Sequence, residues 1–239
     1  MDLPSPTRPR TIPEPTLRRL PMYHHLLSKL SGGGAVYTSC STIGRELGLD
    51  PTQVRKDIES TGIIGKPKVG YPITGLLRAI EEFLGWNNTK DAFLVGAGSL
   101  GSALLGYEKF RRFGLNIVAA FDTDMLKIGT EIHGKHVLPL GKLVDLAQRM
   151  HIHLGVIATP ADAAQPVADL MIEGGIRAIW NFAPAHLRVP ESVILQNEDL
   201  YPSLASLSFR LERCLAKERD SAQQTHVTEP GVLQCGTEV

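Results

Sequence analysis

Apolar residues follow two different patterns along the chain, and the change comes near residue 90. Before that point they recur at helical spacing, and glycine or polar turns separate the helical stretches. After it, short continuous apolar runs alternate with further helical patterns. Short buried strands alternating with helices are typical of a parallel sheet with crossover helices. The sequence therefore predicts a small helical domain followed by an α/β domain.

The helical domain is predicted over residues 16–86. Residues 1–15 contain five prolines and are predicted to form a flexible arm. A helix is expected to begin at Thr16 and to end at the glycines of residues 31–34. Its apolar residues share one face, which consists of Leu17, Leu20, Tyr23, Leu26, Leu27 and Leu30.

Two short helices are predicted after this first helix, and together they would form a helix-turn-helix. Either Ser39 or Ser41 can cap the first of them, which ends at Gly48. Asp50 is the expected N-cap of the second, and Gln53 is expected to reach back to it as in a capping box. The tight connection between the two helices favours a helix-turn-helix over two independent helices.

A basic segment bounded by glycines, 65–71, contains no acidic residue and predicts a hairpin wing. A helix over 74–84 and a polar link over 85–90 complete the domain, so we predict a winged-helix DNA-binding domain. Basic and amide side chains on the outer face of the third helix suit base edges and phosphates. The predicted DNA-binding residues are Ser41, Thr52, Gln53, Arg55, Lys56, Lys66 and Lys68.

The second half opens with a glycine cluster that predicts a dinucleotide-binding turn. Gly96, Gly98 and Gly101 follow an apolar run and open a helical pattern, and a second apolar run ends at Asp122. In such a turn the first glycine permits a tight bend, the second lets the backbone approach a pyrophosphate, and the third lets helix and strand pack closely. Asp122 can accept hydrogen bonds from the adenosine ribose and would repel a 2′-phosphate, which favours NAD(H) over NADP(H).

Strands and helices continue to alternate over residues 87–200, so we predict a Rossmann-like parallel sheet. Ligands of such sheets lie outside the carboxyl ends of the strands. The loops at 158–160 and 181–184 are therefore expected to line the nicotinamide side of the cleft. The predicted cofactor-binding residues are Gly96, Ala97, Gly98, Ser99, Leu100, Gly101, Asp122, Thr159, Pro160, Asn181, Phe182, Ala183 and Pro184.

A last helix is predicted over 201–217, with leucines along one face, and residues 218–239 are predicted to form a polar tail. Because this helix follows a complete sheet, we expect it to pack on something else, such as a second subunit. The three cysteines, Cys40, Cys214 and Cys235, lie far apart and without metal-ligand spacing, so we expect free thiols and no metal site.

Composition limits the class of protein. With 239 residues, of which 43% are hydrophobic, the chain suits two domains. No stretch has the apolar length of a membrane span, and we expect a soluble cytoplasmic protein. Residues 1–90 carry 12 Lys+Arg against 8 Asp+Glu, while residues 91–239 carry 13 against 17. This asymmetry favours contact between the first half and a polyanion.

Motifs in both halves resemble the Rex family of redox-sensing transcriptional repressors. The segments that carry the resemblance are VRKDI (54–58), GKPKVGY (65–71), VGAGSLGSALLGY (95–107), VAAFDTD (118–124), ATPADAAQPVAD (158–169), WNFAPAHLRVPE (180–191) and NEDL (197–200). The resemblance implies a homodimer on palindromic operator DNA, Rossmann domains that sense the balance of NADH and NAD+, and a domain-swapped C-terminal helix.

The resemblance also implies roles near the nicotinamide for Tyr107 and Asp199. In the family these residues interact with an arginine of the first helix until NADH disturbs the arrangement. Here the aligned position is His25. A histidine is shorter than an arginine and cannot make the same bidentate pair, and Arg18 or Arg19 is an alternative partner.

Two other functions fit parts of the sequence. An NAD-dependent oxidoreductase needs a positioned acid or base, and His186 is the candidate near the nicotinamide loops. A CoA-binding fold related to CoA ligases shares the glycine-rich pattern but leaves the winged helix unexplained. The combination of both domains favours a repressor without catalytic residues.

Overall fold

The computed structural model describes residues 12–199 and 201–225. The N-terminal unit is helical, and its first helix begins at Glu14, two residues before the predicted start and inside the segment predicted as an arm. Residues 1–11 lie outside the described range. The elements of this unit are α1 (Glu14–Gly32), β1 (Tyr37–Thr38), α2 (Cys40–Leu47), α3 (Pro51–Glu59), β2 (Tyr71–Pro72) and α4 (Ile73–Phe83).

Helices α2 and α3 form the predicted helix-turn-helix. Ser39, rather than Ser41, caps α2, because its hydroxyl accepts the amide of Thr42 at 3.1 Å. A side chain at Gly44 would lie 2.6 Å from the carbonyl oxygen of Leu49, so only glycine allows the two helices to approach this closely. The helices of the unit enclose one apolar core, to which α1, α3 and α4 contribute Leu20, Tyr23, Leu27, Val54, Ile58, Ile73, Leu76 and Ile80.

Between the two strands of the small sheet, residues 66–70 form a tight hairpin. The amide of Lys66 donates to the carbonyl of Gly70 at 2.7 Å, and the amide of Gly70 donates back at 2.9 Å. Strands β1 and β2 pair antiparallel beneath it. The hairpin wing predicted over 65–71 is therefore confirmed.

Within the described residues, seven strands of the C-terminal unit form one sheet in the order β5-β6-β4-β3-β7-β8-β9. All neighbours are parallel except the β5–β6 hairpin. The parallel strands thus have the doubly wound order of a dinucleotide-binding Rossmann fold. The strands are β3 (Lys90–Val95), β4 (Leu115–Asp122), β5 (Glu131–Ile132), β6 (Lys135–Pro139), β7 (Leu154–Ile157), β8 (Ala178–Asn181) and β9 (Ile194–Asn197).

Helices cover both faces of this sheet. One apolar core contains Phe93 and Phe121, whose rings meet edge to face at 4.9 Å, and a second contains Leu94 and Ala120 on the opposite face. Adjacent residues of one strand face opposite sides, which explains why the strands read as continuous apolar runs. The helices are α5 (Ser99–Leu105), α6 (Lys109–Arg112), a 3₁₀ turn (Leu140–Lys142), α7 (Leu143–Arg149) and α8 (Ala161–Glu173).

The last helix, α9, spans Tyr201–Thr225, so it continues through eight residues that were predicted to belong to a polar tail. Its described side chains are all exposed, including the leucines of the predicted apolar face. The remainder of the predicted tail, from residue 226, lies outside the described residues. Among the helices of the described ranges, none is long and apolar enough to cross a membrane.

Candidate dinucleotide and DNA sites

The candidate dinucleotide site lies at the carboxyl ends of the neighbouring parallel strands β3 and β7. Gly96, directly after β3, has φ +101°, and its amide donates to the carbonyl of Phe121 at 2.8 Å. A side chain there would lie 2.5 Å from the carbonyl oxygen of Ala158. The glycine thus brings the turn against the loop that follows β7, at the point where parallel strands leave a crevice for a ligand.

The other two glycines differ in what surrounds them. A side chain at Gly101 would lie 1.8 Å from the carbonyl oxygen of Gly96, so this glycine is required for α5 to pack against the turn. At Gly98 a side chain would meet nothing within 4 Å. The backbone of Gly98 therefore borders open space, as the approach of a pyrophosphate requires, and the exposed Ser99 and Leu100 begin α5 beside it.

Asp122 ends β4 beside the glycine turn, as predicted. Its carboxylate accepts the amide of Ala97 at 2.8 Å, so it is joined directly to the turn. Burial would raise the pKa of Asp122, but amides of Asp124 and Ala97 and the ammonium of Lys127 outweigh it and hold that pKa below its ordinary value. Asp122 is therefore ionised near neutral pH and acts only as an acceptor.

The hydroxyl of Thr159 is buried in the loop after β7 and has no hydrogen-bond partner within the part of the chain that the structure describes. Buried polar groups are almost always paired, and an orphan at a cleft indicates a missing ligand or water. Pro160, which is exposed, follows it and precedes α8. The open space at Gly98 and this unpaired hydroxyl are both compatible with a polar ligand at this edge of the sheet.

The predicted loop at 181–184 is organised by Asn181, which is 1% exposed. Its side-chain nitrogen donates to the carbonyls of Ala183 and Ala185 and to Oδ1 of Asn197, and its oxygen accepts the amide of Ala183. The side chain shapes the loop and has no free donor to offer. Contact of the loop residues Phe182, Ala183 and Pro184 with a cofactor remains a prediction.

Tyr107 and Asp199 lie near the two ends of a chain of contacts across the sheet. The ring of Tyr107 is 4.7 Å from that of Phe110, which is 5.5 Å from Trp180. The indole nitrogen of Trp180 donates to Glu198 at 3.0 Å. Asp199, the next residue, accepts the amide of Tyr201 at 2.9 Å and so begins α9.

The arginine alternatives to His25 have other partners. Arg19 forms a bidentate pair with Asp57, and Arg18 pairs with Glu14 one turn away. His25 itself is exposed on α1, at a cavity between the two domains. A latch through Arg18 or Arg19 is therefore not formed in this chain conformation.

The outer surface of α3 exposes Thr52, Arg55 and Lys56, as predicted for a recognition helix. Gln53 is only partly exposed, and its amide donates to Asp57 at 3.0 Å instead of reaching back to Asp50. The expected capping box is thus wrong, because the hydrogen bond to Asp57 holds the Gln53 side chain away from the backbone amide of Asp50, which it would have to accept. Asp50 still caps α3 through the amides of Thr52 and Gln53.

The wing presents its lysines to solvent. Lys68 stands at the hairpin tip with φ +63°, and Lys66 lies over the ring of Tyr37 with its ammonium 5.7 Å from the ring centre. Ser41 is exposed in the first turn of α2. Exposed cations on α3 and on the wing are arranged as in a winged-helix surface that contacts phosphates and bases.

Family models match both halves of the chain. One, described as "Putative DNA-binding protein N-terminus", matches residues 11–59, and another, "CoA binding domain", matches residues 87–185. The redox-sensing transcriptional repressor Rex of Treponema denticola is 47% identical over 82% of this chain and 94% of its own length. The chain belongs to the Rex family. Members of the family are transcriptional repressors and not enzymes.

Solved structures of the Rex family have the same fold. The Rex-family repressor RSP in complex with β-NAD+ and operator DNA matches with a TM-score of 0.81 and 33% identity, covering 88% of this chain and 97% of RSP. RSP in complex with β-NADH matches with a TM-score of 0.78 and 33% identity, covering 87% and 98%. The predicted winged-helix and Rossmann-like fold is confirmed.

Membership of the Rex family decides between the functions that fit the sequence. The CoA-binding alternative arose from a pattern that the family model also matches, but the Rex relatives share both domains. His186, the candidate acid or base of an oxidoreductase, is exposed after the loop at 181–184. Cys40 and Cys214 are free thiols, while Cys235 lies outside the described residues.

Sequence reasoning missed Asp57, which is 1% exposed and joins α1 to α3 of this Rex-family domain. Five hydrogen bonds reach it from four residues, Thr16, Arg19, Tyr23 and Gln53. Burial would raise its pKa, but these hydrogen bonds hold the pKa of Asp57 below its ordinary value. Its spacing of three residues from Val54, on the inner face, was the signal for burial.

Proposed function

We propose that this chain is an NADH- and NAD+-responsive transcriptional repressor that binds palindromic operator DNA as a homodimer and is released when NADH binds. One observation carries the proposal: a dinucleotide-type glycine turn with an orphan hydroxyl and a recognition helix with exposed cations occur in the same chain. Because such a repressor acts on chromosomal DNA, the proposal includes a cytoplasmic location.

NAD(H) fits the residues of the Rossmann domain. Gly98 leaves space for the pyrophosphate, Asp122 offers an ionised carboxylate to the adenosine ribose, and Thr159 offers an unpaired hydroxyl on the nicotinamide side. In this proposal the loop at 181–184 lines the same side of the cleft. Tyr107 and Asp199 join the site only through the resemblance to the family, and their cofactor roles remain part of the proposal.

We propose that the apolar face of α9 forms the interface of the homodimer. A helix of this length with leucines in water is not stable by propensity alone, since most helical stability comes from packing of an apolar face. Leu207 is 64% exposed and Leu211 is 56% exposed. In this proposal a second copy of the chain covers the apolar face of α9, and the two subunits exchange these helices. The exposed apolar residues of α9 are Tyr201, Leu204, Leu207, Phe209, Leu211 and Leu215.

The redox signal is proposed to arise from the charge of the nicotinamide. The oxidised ring is cationic and the reduced ring is neutral, so a dry pocket at a subunit interface admits NADH at lower desolvation cost. NADH then favours a closed dimer in which the winged helices no longer match the half-site spacing. Near-complete switching needs a difference of about 5.5 kcal/mol between the affinities of NADH for the two states.

Fluorescence polarisation of a labelled palindromic operator tests the proposal. We expect operator affinity to fall when NADH is added at saturation and to stay high with NAD+. The matched control is Arg55→Ala with Lys56→Ala, which should bind NADH normally but bind operator weakly under both conditions. Equal operator affinity with the two redox forms would contradict the proposal.

A further inference from the structure

Asp122 already has a full set of hydrogen-bond partners, which constrains how a ribose can reach it. Oδ1 accepts the amides of Thr123 at 2.8 Å and Asp124 at 2.9 Å. Oδ2 accepts the amide of Ala97 at 2.8 Å and the ammonium of Lys127 at 3.1 Å. A carboxylate has about four acceptor positions, and all four are taken. A ribose hydroxyl can therefore bind Asp122 only if one partner leaves.

Lys127 is the partner that can leave. The other three donors are backbone amides, fixed by the glycine turn and by the bend after β4. The side chain of Lys127 is 36% exposed, so it can move into solvent at small cost, and its ammonium also lies 3.6 Å from Asp124 Oδ2. After release from Asp122 the ammonium therefore keeps a partner next to the same site.

We propose that Lys127 is the group that the adenosine ribose displaces from Asp122, and that its charge then weakens the discrimination against NADPH. The inference rests on the proposed function, because it takes the ribose to lie at Asp122. Together, Asp122, Asp124 and Lys127 carry a net charge of −1, whereas the two carboxylates alone would carry −2. A 2′-phosphate is repelled less by the smaller charge.

The charge state of Lys127 is secure at neutral pH. Its hydrogen bond to Asp122 and the charges of both carboxylates raise the pKa of Lys127 above its ordinary value, against a smaller effect of burial. The sequence signal is a lysine five residues after Asp122 and three after Asp124. A cation near the ribose-binding acid can contact a 2′-phosphate, as a nearby arginine does in NADP-binding Rossmann folds.

Binding of NADH and NADPH to the full-length chain, followed by nucleotide fluorescence, tests the charge effect. In Lys127→Met and Lys127→Gln we expect the ratio of the NADPH Kd to the NADH Kd to rise about tenfold, the size of one lost charge contact near the surface. Lys90→Met removes a lysine at the amino end of the central strand β3, whereas the site lies at the carboxyl ends of the strands, and it should leave the ratio unchanged. Circular dichroism verifies that each variant is folded.

The comparison of the two Lys127 variants tests displacement. Methionine has no donor and leaves Asp122 with a free acceptor position, whereas glutamine can still occupy it. NADH should therefore bind Lys127→Met several-fold more tightly than Lys127→Gln. An unchanged NADPH to NADH ratio in both variants, or equal NADH affinities of the two, would overturn the inference. A wild-type chain that binds neither nucleotide would instead refute the proposed function, and the inference with it.

Discussion

Replacing Asp57 with alanine tests whether the recognition helix is held to α1 by one buried carboxylate. The substitution removes five hydrogen bonds and leaves the guanidinium of Arg19 and the hydroxyl of Tyr23 without their acceptor. Breaking a buried ion pair by removing one partner costs about 3–5 kcal/mol. Because the side chain of Arg19 remains 21% exposed and water can reach it, we expect about 3 kcal/mol.

Amide hydrogen exchange measures this cost locally, in α1 and α3, without assuming that two domains unfold together. A loss of about 3 kcal/mol corresponds to exchange about a hundredfold faster in these helices. Operator affinity should fall as well, while NADH affinity is retained, since the Rossmann domain has its own apolar cores. The control is Glu14→Ala, which breaks an exposed pair on the same helix and should cost about 0.5 kcal/mol or less.

The same carboxylate predicts a pH dependence. The folded-state pKa of Asp57 is depressed, so its contribution to stability is present above the ordinary aspartate pKa and is lost as pH falls through the lower folded value. Exchange in α1 and α3 should accelerate in acid in the wild type, with a smaller acid dependence in Asp57→Ala. If Asp57→Ala exchanged within threefold of the wild type at neutral pH, the assigned role of the network would be refuted.

Three further substitutions separate cofactor contacts, backbone packing and DNA contacts. Gly98→Ala should change the free energy of unfolding by no more than about 1 kcal/mol but weaken NADH binding tenfold or more. Gly101→Ala should destabilise the domain by several kcal/mol, because its new side chain would lie 1.8 Å from a backbone oxygen. Equal shifts of the melting temperature in the two variants would contradict this. Thr159→Val removes a buried hydroxyl without a partner, so calorimetry should show equal or higher stability while titration shows weaker NADH binding; unchanged affinity would exclude Thr159 from the site. Lys56→Ala should reduce discrimination among operator sequences, whereas Lys66→Ala should weaken binding to all sequences and lower the salt dependence of binding. Polarisation titrations at several salt concentrations distinguish the two effects. Unchanged sequence selectivity of Lys56→Ala would refute the assignment of Lys56 to base contacts.

Local signals in the sequence were sufficient for most of the fold. Glycine spacing and the following acid predicted the turn at residues 96–101 and the end of β4 at Asp122, and a capping acid predicted the start of α3 at Pro51. Strand β9 was missed because it is a four-residue edge strand in which only Ile194 and Leu195 are apolar, and most of its side chains are exposed. The end of α9 was missed because residues 218–225 are polar and offer no helix stop signal.

Side-chain partnerships were the part that sequence patterns did not provide. The hydrogen bond from the amide of Gln53 to Asp57 was not predicted, while contact of Gln53 with DNA remains a prediction. The hydrogen bonds from Asn181 to the carbonyls of its own loop were not predicted either, and its contact with a cofactor remains a prediction. Lys127 lies five residues after Asp122, and only the bend between them places its ammonium on the carboxylate. Such pairings depend on the path of loops, for which periodicity carries no information.

We propose that NADH changes the separation of the two recognition helices in the dimer. A spin label on Glu59→Cys, an exposed position of α3, in a chain whose own cysteines are replaced, allows the distance between the two helices to be measured by electron–electron double resonance. With NAD+ we expect a single distance that also fits the operator-bound dimer, and with NADH we expect a shifted distance that no longer matches one helical turn of DNA. Identical distance distributions with NADH and with NAD+ would contradict it.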